Sequence, residues 1–218
     1  MQLDIPLIRQ DKNSSDCGLA CVAMLLQHYG LDANIAQLQQ KIEVYKNIGT
    51  FAPQLGKYLI DSGFEVDLIT QNPHLFTIND RDKTQDDLKV YFKELILKNT
   101  KESRINSLKH FDDYLTLNGK STVQVPSVDD IKNEIKQGRP LISLLTTNFL
   151  QHDKAGFNFH FNLITGIDDI FIYVHDPLSD KRGGKKKYKI NDYMYALYAS
   201  AFGDIDNASL LKVRLINN

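Results

Sequence analysis

The chain has 218 residues, 42% of them hydrophobic, which is enough for one sizeable domain or two small lobes sharing one interface. Its 26 basic and 27 acidic side chains leave a formal net charge of −1, which excludes the charge footprint of a nucleic-acid binder. Asp4, Pro6 and Arg9 interrupt the N-terminal stretch and no run of about 18 apolar residues occurs, so the expectation is a cytoplasmic chain without signal peptide or membrane contact.

The stretch from Asp16 to Tyr29 lacks proline, ends at Gly30, and spaces Leu19, Val22, Ala23 and Leu26 at helical intervals. It predicts a helix with an acid at its N-cap and a glycine stop. Asn34 before I-A-Q-L-Q-Q-K-I, and T-F-A-P-Q-L-G-K-Y-L-I-D-S-G ending at Gly63, predict two more helices, followed by a strand, F-E-V-D-L-I-T, at 64–70. From 71 to 125 the pattern loosens. L-K-V-Y-F-K-E-L-I-L-K from Leu88 is a helix candidate, L-N-G-K-S at 117–121 is turn chemistry, and the segment reads as an elaboration or lid on a single domain spanning 1–218.

Ser127 opens S-V-D-D-I-K-N-E-I-K-Q-G, a capped helix ending at Gly138, and R-P-L-I-S-L-L-T-T follows as a buried strand. Strands are expected at 160–167 and 170–177 around an Asp168-Asp169 turn, then a basic turn R-G-G-K-K-K-Y-K-I and a final strand L-L-K-V-R-L-I. Helices precede antiparallel strands, which is the order of an α+β fold.

A thiol nucleophile needs a lowered pKa, a base within reach and donors for the developing oxyanion. Cys17 follows the N-cap of the first helix, where the helix dipole favours thiolate, and Gly18 beside it would permit close approach of a substrate backbone. His160 opens a strand and Asp176, sixteen residues on, closes the neighbouring one, so both fall at one end of a hairpin and the carboxylate can orient the ring. Gln10 supplies a side-chain amide that, with the Cys17 backbone N–H, would face the oxyanion.

Three segments together carry a family likeness: D-I-P-L-I-R-Q…D-C-G-L-A-C-V-A-M-L-L-Q-H-Y-G, G-R-P-L-I-S-L-L with the helix before it, and H-F-N-L-I-T-G-I-D-D…I-Y-V-H-D-P. They resemble the peptidase C39-like branch of the papain-like cysteine peptidase superfamily. D-C-G-L-A-C, S-V-D-D-I-K and the length look nearest to the guanylyl cyclase domain-containing family within it. The resemblance implies a papain-like fold, an N-terminal helical lobe packed on a C-terminal twisted antiparallel sheet. It also implies Cys17 as nucleophile, His160 as base, Asp176 as orienting acid and Gln10 as oxyanion donor, acting on a peptide or protein substrate without cofactor or metal. The six residues D-K-N-S-S-D between Gln10 and Cys17 are one more than the family usually places there, so this loop must bulge for Gln10 to reach the site.

Other readings compete. A free cysteine is often a small buried hydrophobe, which is the reading for Cys21, and two thiols four residues apart on a helix neither build a disulfide framework nor provide zinc spacing. His28, His74, His110 and His152 read as surface or loop histidines, and His175 as pointing to the far side of its strand from Asp176. Nucleotide cyclisation needs paired carboxylates and a phosphate cradle. The pairs at Asp112-Asp113, Asp129-Asp130 and Asp168-Asp169 sit where helix starts or hairpin turns explain them, and no Walker-type loop exists. Arg182 to Lys189 reads as a solvated hairpin, with an acidic partner as the alternative. A catalytically silent papain-fold binding module is the remaining possibility. Oligomeric state is left open.

Overall fold

The computed structural model describes residues 1–151 and 154–216. His152 lies outside the described residues. The first helix, α1 (Cys17–His28), buries Leu19 through Leu26, as its spacing predicts, and Gly30 closes it at φ 78°. Asp16 occupies the N-cap position but makes no capping hydrogen bond. Its carboxylate instead accepts from Gln39 Nε2 at 3.2 Å. Two helices follow, α2 (Ile35–Gln39), with a capping box between Asn34 and Gln37, and α3 (Ala52–Asp61).

The segment between 71 and 125 is more regular than its sequence suggests. It forms α4 (Gln85–Lys98), α5 (Glu102–Thr116) and β2 (Lys120–Val123). The turn expected at 117–121 is only its first half, because Lys120 already pairs with Asp67 of β1 (Phe64–Thr70). Asp112-Asp113 lies inside α5, not at a helix start. Phe92 of α4 stacks on Phe111 of α5 with ring centroids 4.7 Å apart, so this helical hairpin shares the main core.

The capped helix is α6 (Val128–Lys136), where Ser127 and Asp130 form the box, and the buried strand is β3 (Leu141–Thr146). A short α7 (Asn148–Gln151) precedes β4 (Phe159–Ile167) and β5 (Phe171–Asp176). The basic stretch expected as a turn is a strand, β6 (Gly184–Lys189), and it runs into a helix the sequence did not announce, α8 (Ile190–Ala199). The last strand is β7 (Ser209–Leu215).

Among the described residues, seven strands make one sheet in the order β2-β1-β7-β3-β4-β5-β6, antiparallel except for β1 with β2. The architecture is α+β, but the layers are not split by chain half. β1 from the N-terminal third pairs with β7 from the C-terminus, and helices cover both faces. α1, α3, α4 and α5 pack on one face with Leu144, Phe161 and Leu211. On the other, α6 and α8 bury Ile131, Ile135, Tyr193 and Leu197 against Leu145, Ile164 and Val174. Tyr114 ties α5 to the sheet, its buried hydroxyl lying 2.8 Å from the carbonyl of Val66 and 2.6 Å from that of Lys120. The N-terminal segment crosses β4 at Gly166, where a Cβ would run into Gln2, and a bulge in β4 accommodates it. Among the described residues, no helix is long and apolar enough to cross a membrane.

Candidate active site

Three of the four candidate residues meet where α1 begins and β4 and β5 reach their shared end. The His160 ring is buried and its Nε2 lies 2.9 Å from Oδ1 of Asp176, which is wholly buried. The ring also interacts with the Cys17 thiol, so it is coupled to both sulfur and carboxylate. Two further contacts fix Asp176: the Leu178 N–H donates to Oδ1 at 3.0 Å and Gln151 Nε2 donates to Oδ2 at 3.3 Å. Gln151, on α7, carried no signal in the sequence, because only the tertiary fold brings it to β5.

Electrostatics follow from this geometry. Burial pushes the Cys17 thiol up, but the charge and hydrogen bond of His160, with the backbone N–H groups of Phe161 and Gly18, outweigh it and hold the thiol below its ordinary value. Burial works to lower His160 as well. The Cys17 sulfur and the Asp176 carboxylate outweigh it and raise the ring to about 10. Both shifts favour a thiolate–imidazolium pair. Cys21, one turn on, is wholly buried and its thiol is pushed well up by burial. It packs in the core.

Gln10 sits in the loop before α1, buried, with its backbone N–H donated to Pro177 O at 2.8 Å, next to Asp176. Its Nε2 donates to Ser14 O at 2.7 Å, which closes the six-residue loop over a left-handed Asn13 at φ 63°. The extra residue is thus absorbed in a turn. One of the two amide hydrogens is engaged there.

Gly18 has a different role from the one its position suggests. A Cβ there would meet Thr50, Leu55 and Phe161, all protein atoms, so glycine is needed to seat the start of α1 against α3 and β4. That contact brings the start of α1, and with it Cys17, against the strand that carries His160. The histidines also sort differently. His110 stacks on Phe51 and bonds the Tyr45 hydroxyl at 3.2 Å, and His28 bonds Gly138 O at 2.7 Å, so neither is a free surface histidine. The His74 N–H is held by Asn72 Oδ1 in a turn. His175 faces the N-terminal segment; burial, then the charge of Lys185, push it down to about 4.

Cys17 opens into a cleft of about 680 Å³. Ile48 and Thr50 line one side, Phe157, Phe159 and Phe202 the other, and residues 203–207 form part of the wall. His74, Lys101, Ser103 and Arg104, from the 71–125 segment, reach the same cleft. Within that wall Asp206 is buried, accepts the Ala52 N–H at 2.7 Å, and is pushed up to about 7 by burial and by Asp204. The aromatic side of the cleft was not foreseen from the sequence, since its members come from around the start of β4 and from a 3-10 turn after α8, far apart in the chain.

Comparison with known proteins agrees with this architecture. No curated protein matches the chain in sequence. Among solved structures, a double glycine motif protease from an AMS/PCAT transporter, determined with its leader peptide, aligns over 99% of this chain and 94% of its own, with TM-score 0.51 and 14% identity. A Bacillus anthracis protein assigned as a C39-like peptidase aligns over 100% of both chains, with TM-score 0.58 and 13% identity. The peptidase domain of Streptococcus ComA, a bifunctional ABC transporter involved in quorum sensing, aligns over 96% of this chain and 98% of its own, with TM-score 0.50 and 16% identity. At these identities the likeness is one of fold. A nearer likeness to the guanylyl cyclase domain-containing family finds no support here. The profile of the Peptidase_C39 like family matches residues 2–202, nearly the whole length, and the chain belongs to that family.

Proposed function

We propose that the protein is a cysteine peptidase or related thiol acyl hydrolase acting on an amide of a peptide or protein. The observation that carries this reading is the line from half-buried Cys17 through buried His160 to Asp176, with the His160–Asp176 bond at 2.9 Å. In the proposed reaction the Cys17 thiolate attacks the acyl carbon, and the C=O electron pair moves onto oxygen. The donors proposed for that oxygen are the Cys17 backbone N–H, at the first residue of α1, and the second amide hydrogen of Gln10. The imidazolium of His160 then gives its proton to the leaving amine, and a thioester remains on Cys17. Water, deprotonated by His160, attacks the thioester and restores the thiolate. Asp176 keeps the ring oriented through both steps and stabilises it whenever it carries the proton.

The acid pairs offer the cyclase reading little. Asp130 is occupied by the Ser127 cap and by Lys212 at 2.7 Å, Asp168 by the N–H groups of Ile170 and Phe171, and Asp112-Asp113 lies on α5. These are three separate elements, and no two of the pairs share one. The deciding experiment incubates the protein with a diverse peptide library and reads new termini by mass spectrometry. Cleavage that disappears in Cys17→Ala is expected. Cleavage that survives Cys17→Ala, or GTP turnover that needs a divalent metal, would overturn the reading.

A further inference from the structure

β6 is the outermost strand beside β5, and from Lys181 to Lys189 six of nine residues are Lys or Arg, in a chain whose net charge is −1. Within it Lys185, Lys187 and Lys189 are exposed, whereas Lys186 and Tyr188 are partly covered. The three lysines stand opposite His175, Tyr173 and Phe171, so they share one face of the sheet, the face on which Leu163, paired with His175, packs in the core with α1. Lys187 Nζ lies 4.6 Å from the centre of the Phe171 ring, whose face attracts the ammonium group.

The backbone of the same residues is directed outward. The Ile190 N–H donates to Ile170 O at 3.0 Å, which sets the phase of the ladder. With antiparallel alternation, the pairs that exchange hydrogen bonds are then Ile172 with Tyr188, Val174 with Lys186 and Asp176 with Gly184. The N–H and C=O groups of Lys185, Lys187 and Lys189 therefore point away from β5. Among the described residues, no backbone hydrogen bond meets them from another element, and no carboxylate pairs with any of the three side chains.

We propose that this edge receives an extended acidic segment of the polypeptide substrate as an added strand, with carboxylates at every second position opposite Lys185, Lys187 and Lys189. Residues of an added strand that pair with these lysines place their side chains on the lysine face, at a spacing of two. Directly opposite side chains of unlike charge attract at such range, and three pairs act together. Edge lysines repel strands of ordinary sequence, so the same charges that guard the edge select an acidic visitor. Gly184, where β6 begins, is opposite Asp176, so the bound segment would run to the catalytic end of the sheet. That the visitor belongs to the substrate rests on the peptidase reading above.

The test titrates the Cys17→Ala protein with a short fluorescent peptide carrying Glu at alternate positions, and with an isomer of the same composition whose Glu residues are clustered. Fluorescence anisotropy at low salt is the readout. The alternating peptide is expected to bind about tenfold tighter than its isomer, and the combined Lys185→Glu, Lys187→Glu and Lys189→Glu variant to lose about tenfold or more. N-methylation of the peptide residues whose N–H groups meet β6 is expected to abolish the preference with charge unchanged, a result that does not depend on a protein variant folding. Equal binding of the isomers, tolerance of N-methylation, or no binding would each overturn the docking mode. If the alternating peptide binds as expected while Cys17 of the wild-type protein shows ordinary thiol reactivity, the strand stands and the peptidase reading falls.

Discussion

The Asp176 carboxylate holds the His160 ring by a 2.9 Å hydrogen bond between residues sixteen apart, from inside a shell made by the Leu178 N–H and the Gln151 amide. A buried carboxylate so placed supports the charged ring, and the ring supports the thiolate. Asp176→Ala is therefore expected to lower the rate of Cys17 alkylation at pH 6 by about tenfold for each unit by which the thiol pKa rises. Gln151→Ala should give a smaller drop in the same assay. Stopped-flow iodoacetamide labelling of the two variants checks both, and unchanged rates would remove Asp176 from the site.

The wild-type pH profile carries its own signature. The Cys17 pKa is depressed, so thiolate persists as pH falls below the ordinary thiol value of about 8.5 until the lowered value is passed. His160 is raised to about 10, so the imidazolium is lost only near that pH. Alkylation by iodoacetamide should therefore already be fast near neutrality, and peptide hydrolysis should decline toward pH 10. His160→Ala should return the labelling profile to that of a free thiol.

Gln10→Ala separates oxyanion donation from thiol activation. Turnover of a cleavable peptide is expected to fall by roughly 10²-fold, while the alkylation profile of Cys17 stays in place, because the N–H donors and His160 that lower the thiol do not include Gln10. A parallel loss of both would make Gln10 a loop brace acting through Ser14.

Asp206 links the cleft wall to pH-dependent stability. Its folded pKa of about 7 lies above the unfolded carboxyl value of 3.8, so the unfolded chain ionises first as pH rises. The native state then binds the extra proton, and stability falls between about pH 4 and 7, by up to roughly 1.4 kcal/mol per unit. Asp206→Asn keeps an acceptor for the Ala52 N–H and removes the titration. Urea midpoints should converge for wild type and variant at pH 4 and favour the variant at pH 8.

Gly18→Ala should unseat α1. The added methyl meets Thr50, Leu55 and Phe161, so a loss of about 1–3 kcal/mol in unfolding free energy is expected, together with slower Cys17 labelling. Stability lost with labelling intact would mean that the seating does not set the Cys17–His160 contact.

Much of this was legible in the chain. Glycine stops and apolar spacing marked α1 and α3, a capping box marked α6, and short apolar runs marked β1, β3, β4 and β5, because local propensity and burial agree at those places. α5 was illegible: Ser, Asn, His and Asp fill it, and it is helical because Leu108, Phe111 and Leu115 pack beside Phe92. The aromatic Y-M-Y-A-L-Y of α8 carries no side-chain cap, and its helix is fixed by burying Tyr193 and Leu197 on the sheet.

By itself the sequence determined the chemical inventory: which residues could be thiolate, base, acid and amide donor, and that a helix start and a hairpin end would present them. The tertiary structure decided the rest, since distances among residues far apart in the chain depend on packing. It coupled His160 to both Cys17 and Asp176, gave Gly18 to helix seating, turned the Gln10 amide onto Ser14, and placed Gln151 behind the acid. It also made a strand of the basic stretch, because backbone pairing with β5 fixed which lysines face outward, a property that no local pattern carries.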